Sequence, residues 1–316
     1  MKNQDNTFDI IISGGGLSGS LMALSLADLK KSDGSLLSIA IVETTATEVR
    51  KPKTSTATLD HNNTKTLFDN RVLALSHGSA SYLKKLGVWQ HLLNNACAIE
   101  KIDISDRGYY GKARIEAKEH GVLALGYVIE MAHIGQALLT ALVHKSNVHW
   151  FSPDCIVDID WQPPQQDVEQ SNAFQTGINH NEMVAVTLGS KQSLYTPLLI
   201  ACDGANSPCR QLVGIHCRQS EYQQMALIAN VATRKSHNNK AFERFTEYGP
   251  LAMLPQSPLS GDANGDSRSS LVWTMSPEQS RTMMALNGND FAEQLELAFG
   301  SGLVLLHRWV NVTRIP

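Results

Sequence analysis

Phe8-Asp9-Ile10-Ile11-Ile12 runs into Gly14-Gly15-Gly16-Leu17-Ser18-Gly19, and the chain continues through Leu21, Met22, Leu24, Leu26 and Leu29. A short unbroken apolar run predicts a strand buried on both faces. The pattern after the glycines is apolar over much of a helix, as in a helix packed on a sheet. Gly14 permits a tight bend, Gly16 lets the backbone approach a pyrophosphate, and Gly19 lets helix and strand pack closely; Gly15 sits inside the same turn. The helix start then offers free N–H groups and a partial positive charge to phosphates. Ser38-Ile39-Ala40-Ile41-Val42 predicts the next parallel strand, which ends at Glu43. A carboxylate there accepts hydrogen bonds from ribose hydroxyls and disfavours a 2′-phosphate.

A second glycine turn lies far downstream, in Ala201-Cys202-Asp203-Gly204-Ala205-Asn206-Ser207. Pro197-Leu198-Leu199-Ile200-Ala201 predicts a buried strand leading into it. Asp203-Gly204 turns the chain, and Ser207-Pro208 can cap and begin a helix that Gly214 ends. Asp203 has two readings, a turn former or a cofactor contact at the carboxyl end of a strand. One glycine turn would suit any dinucleotide. The pair points to FAD, and hence to redox chemistry that the cofactor performs and the protein positions.

Composition narrows the alternatives. At 316 residues, 42% apolar and 18% charged, the chain has the make-up of a folded protein with room for one large domain or two. A net charge of -3 without a basic stripe argues against a nucleic-acid partner. Five scattered cysteines, none spaced as CxxC, predict buried thiols in a reducing cytoplasm and neither a disulfide framework nor a zinc site. No HxxxH or HxH spacing suggests a metal. The polar Met1–Asp9 segment is unlike a secretory signal, and no apolar run reaches the roughly 20 residues of a membrane span.

Residues 44–68 and 162–182 are polar and aperiodic and predict exposed excursions. Arg71 precedes the apolar run Val72-Leu73-Ala74-Leu75. It is read as a ligand for phosphate or ribityl oxygens, against the alternative of a surface charge. A helix with Leu83 and Leu86 inside and Gly87 as its stop follows, then short strands from Ile99 to Met131 and a helix over Ile134–His144. Strands are expected at Val148–Phe151, Ile156–Trp161, Val184–Leu188, Leu194–Ala201, Met225–Val231, Phe242–Phe245, Leu251–Leu254 and Leu271–Met275, with a helix at Asp290–Phe299. The alternation predicts an α/β chain: a nucleotide-binding α/β domain (1–98 and 133–215) interrupted by a β-rich domain (99–132 and 216–316).

Several segments carry a family resemblance. They are Arg71-Val-Leu-Ala-Leu-Ser76, Leu86-Gly-Val-Trp89, Ile104-Ser-Asp-Arg-Gly108, Ala124-Leu-Gly126 with Glu130, Cys202-Asp-Gly-Ala-Asn-Ser207, Ala229-Asn-Val-Ala-Thr233, Ala241-Phe-Glu-Arg-Phe-Thr246, Gly249-Pro-Leu-Ala-Met-Leu-Pro255 and Leu271-Val-Trp273. In these the chain resembles the class A flavoprotein aromatic hydroxylases, in particular their ubiquinone-biosynthesis branch. The resemblance implies a para-hydroxybenzoate-hydroxylase-like fold in which the two domains are a split Rossmann-type FAD-binding domain and an inserted β-sheet substrate domain, with FAD as cofactor and NAD(P)H as co-substrate. It implies a polyprenyl phenol hydroxylated with O2 through a flavin C4a-hydroperoxide, and no protein nucleophile. By the same resemblance Gly14, Gly15, Gly16, Gly19, Glu43, Arg71, Gln136, Asp203 and Gly204 hold FAD, and Gly249, Pro250 and Leu251 border the substrate. It further implies contact with other ubiquinone-biosynthesis proteins, peripheral docking on the inner membrane, and a third flavin turn, Gly-Asp-Ala-Ala-His-like, downstream of Pro316. Two other readings are open: a flavin reductase or dehydrogenase that never inserts oxygen, and a non-catalytic assembly partner.

Overall fold

The structure is a computed structural model that describes residues 6–46, 71–161, 183–233, 235–258, 267–300 and 305–315. Of the expected polar excursions, residues 47–68 and 162–182 lie outside the described residues. The chain forms two compact units, one of Met1–Asp69, Leu86–Val88 and Ala132–Arg218, the other of Asn70–Lys85, Trp89–Met131 and Gln219–Pro316.

In the first unit, β1 (Ile10–Ser13), β2 (Ile39–Val42), β8 (Val148–Phe151) and β12 (Leu199–Ala201) make a parallel sheet in the order β12-β1-β2-β8. Every residue of β1 and β2 is buried, as their unbroken apolar sequence requires. Parallel neighbours need a crossover, and α1 (Leu17–Leu26) supplies it between β1 and β2. An antiparallel sheet of β9 (Ile156–Asp160), β10 (Val184–Leu188) and β11 (Ser193–Thr196) adds Ile156, Val186, Leu188 and Leu194 to a core shared with Phe8, Ile11, Ala40 and Val42. The single strand expected over Leu194–Ala201 is therefore two strands in two sheets. Pro197 has no N–H to donate, and the Thr196 hydroxyl bonds both the N–H and the carbonyl of Leu198, turning the chain between them. Nor is β12 buried: its residues are half-buried to exposed, at one edge of the described sheet.

The second unit is built on a seven-stranded sheet in the order β17-β13-β16-β15-β14-β5-β6. Its strands are β5 (Lys101–Asp106), β6 (Lys112–Glu116), β13 (Met225–Thr233), β14 (Lys240–Thr246), β15 (Gly249–Gln256), β16 (Ser267–Met275) and β17 (Leu305–Ile315). All neighbours are antiparallel except β5 and β14. One face carries Leu227, Ala229, Leu251, Met253, Leu271 and Trp273 against α5 (Pro277–Ala285) and α6 (Gly288–Phe299), where Phe291, Leu295 and Phe299 complete the core. On the other face Ile102, Ala241 and Leu254 meet Val72, Ile99 and Val128 of a small sheet formed by β3 (Val72–Ser76), β7 (Gly126–Glu130) and β4 (Cys97–Ile99). α5 was not expected, although Ser276-Pro277-Glu278-Gln279 announces it: Ser276 and Gln279 form a reciprocal capping box with proline in the first turn.

The unit boundaries differ from the sequence expectation. Residues 70–98 were assigned to the nucleotide domain. Val72–Ser76 and Cys97–Ile99 instead hydrogen-bond antiparallel to β7, so all but Leu86–Val88 of this stretch group with the sheet unit. α2 (His77–Lys85) follows β3 directly, and α3 (Met131–Val143) begins as the chain passes into the first unit. Among the described residues no helix is long and apolar enough to cross a membrane, and no group of His, Cys, Asp or Glu could hold a metal ion.

The thiols also depart from expectation, since Cys97 and Cys209 are buried but Cys155 and Cys217 are exposed. Burial, with a nearby carboxylate, pushes Cys97 and Cys209 up to about 11. At pH 8 both are neutral and poor nucleophiles, so iodoacetamide is expected to alkylate Cys155 and Cys217 first, read by peptide mass spectrometry. Leu251 is fully buried among the sheet and helix side chains. Leu251→Ala is expected to cost about 2–5 kcal/mol in urea unfolding, the range for an unfilled core cavity.

Candidate cofactor-binding site

The two glycine turns meet. β1 and β12 are adjacent and parallel, with Ile11 opposite Leu199 and Ser13 opposite Ala201, so both turns leave the sheet at the same end. The Cys202 N–H donates to the Ser13 carbonyl at 2.7 Å and the Gly14 N–H to the Val42 carbonyl at 2.8 Å. Gly14 has φ +92°, and a Cβ on it would stand 2.5 Å from the Cys202 carbonyl oxygen. Only glycine satisfies both conditions. Gly19 plays the matching part on the helix, where a Cβ would collide with the Gly14 carbonyl. These two glycines let α1 and the second turn close on β1.

Gly16 is different. A Cβ there would have nothing within 4 Å, so the backbone presents an open face. Gly16 is also the N-cap of α1, with no side-chain cap and no acidic residue in the first turn. The first turn of a helix carries orphan N–H groups and a partial positive charge, here beside a glycine face that no described side chain covers. A pyrophosphate suits it.

Glu43, at the end of β2, is 6% exposed. Its Oε2 accepts from the Gly15 N–H at 2.7 Å, and its Oε1 accepts from the Thr45 N–H at 2.7 Å and the Thr44 hydroxyl at 3.2 Å. The carboxylate thus braces the turn first; Oε2, with a single donor, keeps a further lone pair for a ribose hydroxyl. Trp150 of β8 lies over Gly15, where a Cβ would come within 2.6 Å of its ring. Sequence reasoning missed Trp150, because only the sheet order β1-β2-β8 carries it there.

Asp203 shows the turn-forming role directly. Its Oδ2 accepts from the Cys209 N–H at 2.9 Å, while Ser207 caps α4 (Pro208–Leu212) by accepting from the Arg210 N–H at 3.0 Å. Burial pushes the Asp203 carboxyl up, but hydrogen bonds from Ser207 and Cys209 outweigh it and hold it below the usual carboxylate value. Gly204, with φ +89°, completes the bend.

Of the remaining candidates, Gln136 is in the first unit and Arg71, Gly249, Pro250 and Leu251 are in the second. Gln136 is exposed on α3, and its amide donates along its own helix to Thr140 at 3.4 Å. Arg71 belongs to the second unit, where its carbonyl accepts from the Met131 N–H at 2.8 Å. Gly249 begins β15 with φ +136° because the β16 backbone at Thr274 leaves no room for a Cβ. Pro250 follows it, opposite Phe245. Leu251, expected at the substrate, is instead part of the closed core under α5 and α6, since alternation along β15 turns it to the helix side.

The FAD binding domain family matches residues 7–312. The chain belongs to that family. It is 30% identical to the mouse protein named ubiquinone biosynthesis monooxygenase COQ6, mitochondrial, over 95% of this chain and 57% of that one. It is 26% identical to ubiquinone hydroxylase UbiL of Rhodospirillum rubrum, over 95% of this chain and 59% of that one. An uncharacterised Synechocystis protein, slr1300, is 30% identical over 98% of this chain and 64% of its own. The chain spans less than two thirds of the length of these relatives. Solved structures share the fold: Pseudomonas aeruginosa PqsL (TM-score 0.65, 14% identity, 94% of this chain and 68% of that one) and p-nitrophenol 4-monooxygenase PnpA of Pseudomonas putida (TM-score 0.62, 14% identity, 98% and 67%). The fold is thus α/β of the para-hydroxybenzoate-hydroxylase-like class, and the family's cofactor is FAD. Residues of the first unit fit that cofactor, with an uncapped helix start and an open glycine face for the pyrophosphate and a buried carboxylate beside them for the ribose.

Gly16→Ala is expected to leave the urea midpoint near wild type, within about 0.5 kcal/mol, and to weaken FAD binding about tenfold, or about 1.4 kcal/mol. Gly14→Ala is expected to destabilise the apoprotein by about 1–3 kcal/mol through strain at positive φ. Urea unfolding and FAD titration by flavin fluorescence separate the two effects. Normal FAD affinity in Gly16→Ala would show that phosphates do not approach this face.

Proposed function

We propose that the chain serves an FAD-dependent monooxygenase that hydroxylates a polyprenyl phenol in ubiquinone biosynthesis, with NAD(P)H as reductant. The observation that carries this reading is the meeting of the two glycine turns around an open, uncapped helix start, in a chain whose relatives are named ubiquinone monooxygenases and hydroxylases. Bound FAD would take two electrons from NAD(P)H and, once reduced, activate O2 to place one oxygen atom on an electron-rich ring and release the other as water.

In this reading the chain binds, orients and excludes water. The N–H groups at the start of α1 hold the pyrophosphate, with Gly14 and Gly19 keeping them in place. Glu43 holds the ribose hydroxyls with the acceptor capacity the turn leaves free. Asp203 and Gly204 present the second turn to the cofactor through backbone, because one Asp203 oxygen is committed to the Cys209 N–H. Arg71 and Gln136 are proposed as further FAD contacts, and Gly249 and Pro250 as the substrate border. Leu251 supports that border from the core. No protein nucleophile is assigned. Dry surroundings for the reacting flavin matter more, since water would let activated oxygen escape unused. An apolar-tailed substrate further implies peripheral docking at the inner membrane and proximity to other proteins of the pathway.

The test is stoichiometry. With the FAD-loaded protein, NAD(P)H and a prenylated phenol, one O2 is expected to disappear per hydroxylated ring, with labelled oxygen from O2 in the product. Substrate oxidation that continues without O2 would replace this reading with a flavin dehydrogenase, and a protein that takes up no FAD would leave only a non-catalytic role.

A further inference from the structure

A cavity of about 510 Å3 lies within the second unit, at the end of the sheet where α5 and α6 meet the turns after β5 and β14. Small-molecule sites commonly fall between about 300 and 1,000 Å3. Its floor is apolar and buried: Trp273 and Met275 of β16, and Ala298 of α6. Met283 of α5 forms a half-buried wall. The mouth is mixed, with Tyr248 (51% exposed) and Leu297 (60% exposed) beside polar and charged groups. None of the residues assigned to FAD lines it. Trp273 and Met275 also project from the helix-covered face of the sheet, whereas Pro250 projects from the other.

Two features specify what this cavity accepts. Two thioethers, an indole and a phenol ring make a deformable wall that packs well on an aromatic ring. At the mouth Arg107 is already paired with Glu247 at 3.5 Å, and Glu278 leaves the lining with an excess negative charge. That charge repels anions.

We propose that this cavity binds a neutral ring compound that carries an apolar substituent, at a site that none of the residues assigned to FAD lines. The ring lies against Trp273 and Met275, and the substituent leaves over Leu297 and Tyr248. The site follows from the cavity and its lining alone and does not depend on which reaction the flavin performs.

The experiment uses the full chain loaded with FAD and, as probe, a benzoquinone bearing a decyl tail, whose ring quenches indole fluorescence on contact. Saturable quenching is expected, with most of its amplitude lost in Trp273→Phe. Ala298→Phe fills the floor, and Thr282→Tyr narrows the mouth from an exposed helix position where the fold tolerates it; each is expected to weaken binding about tenfold. Thr282→Tyr decides the matter if Ala298→Phe does not fold. A benzoate with the same tail is expected to bind about tenfold more weakly than the quinone. Quenching that never saturates, or that saturates equally in wild type and in the folded variants, overturns the site. Equal affinity for the benzoate overturns the neutral class.

Discussion

The first unit depends on one close approach of backbone to backbone. Gly14 faces the Cys202 carbonyl across neighbouring parallel strands, at a separation that excludes even one added methyl group. Gly19 lets α1 settle on the same point. Because these contacts are between backbones, the geometry is insensitive to side-chain rotamers, and the turns are set before any ligand arrives. The result, among the described residues, is a helix start without a side-chain cap and a glycine face with nothing within 4 Å of it. The unit is preorganised for a phosphate in the sense that little has to move to receive one.

Glu43 and Asp203 show how that geometry is held. Both are acidic residues beside glycine turns, and both spend part of their capacity on local N–H groups. Glu43 is almost wholly buried, and its charge is balanced by three donors from its own chain. A buried carboxylate is costly unless such donors surround it, so its hydrogen bonds rigidify the turn as well as satisfying the charge. Removing either side chain would loosen the frame as well as any ligand contact.

The second unit follows different physics. Its sheet is mostly antiparallel and coated by helices on one face, and β13, β15 from Pro250 to Pro255 and β16 from Leu271 onward alternate buried and half-buried residues as that arrangement demands. This alternation decides the place of Leu251 and Trp273 alike. The two are cross-strand partners on the helix-covered face; Leu251 is wholly enclosed, while Trp273 also lines the open cavity. Aromatic packing continues up to that point, with Trp273 edge-on to Phe291 at 6.2 Å.

Local chemistry was legible in the chain itself. The Gly14–Gly19 turn, the acidic end of β2, the Ser207-Pro208 helix start and the α/β class all rest on φ requirements, caps and apolar period, which act over a few residues and leave a mark in the sequence. Tertiary structure alone decided which strands became neighbours. It brought Trp150 over Gly15, moved residues 72–76 and 97–99 into the sheet unit by pairing them with β7, split Leu194–Ala201 between two sheets, and turned Leu251 into the core. Strand pairing joins residues far apart in the chain through backbone groups that every residue carries, so it has no residue-specific signature to be read in advance.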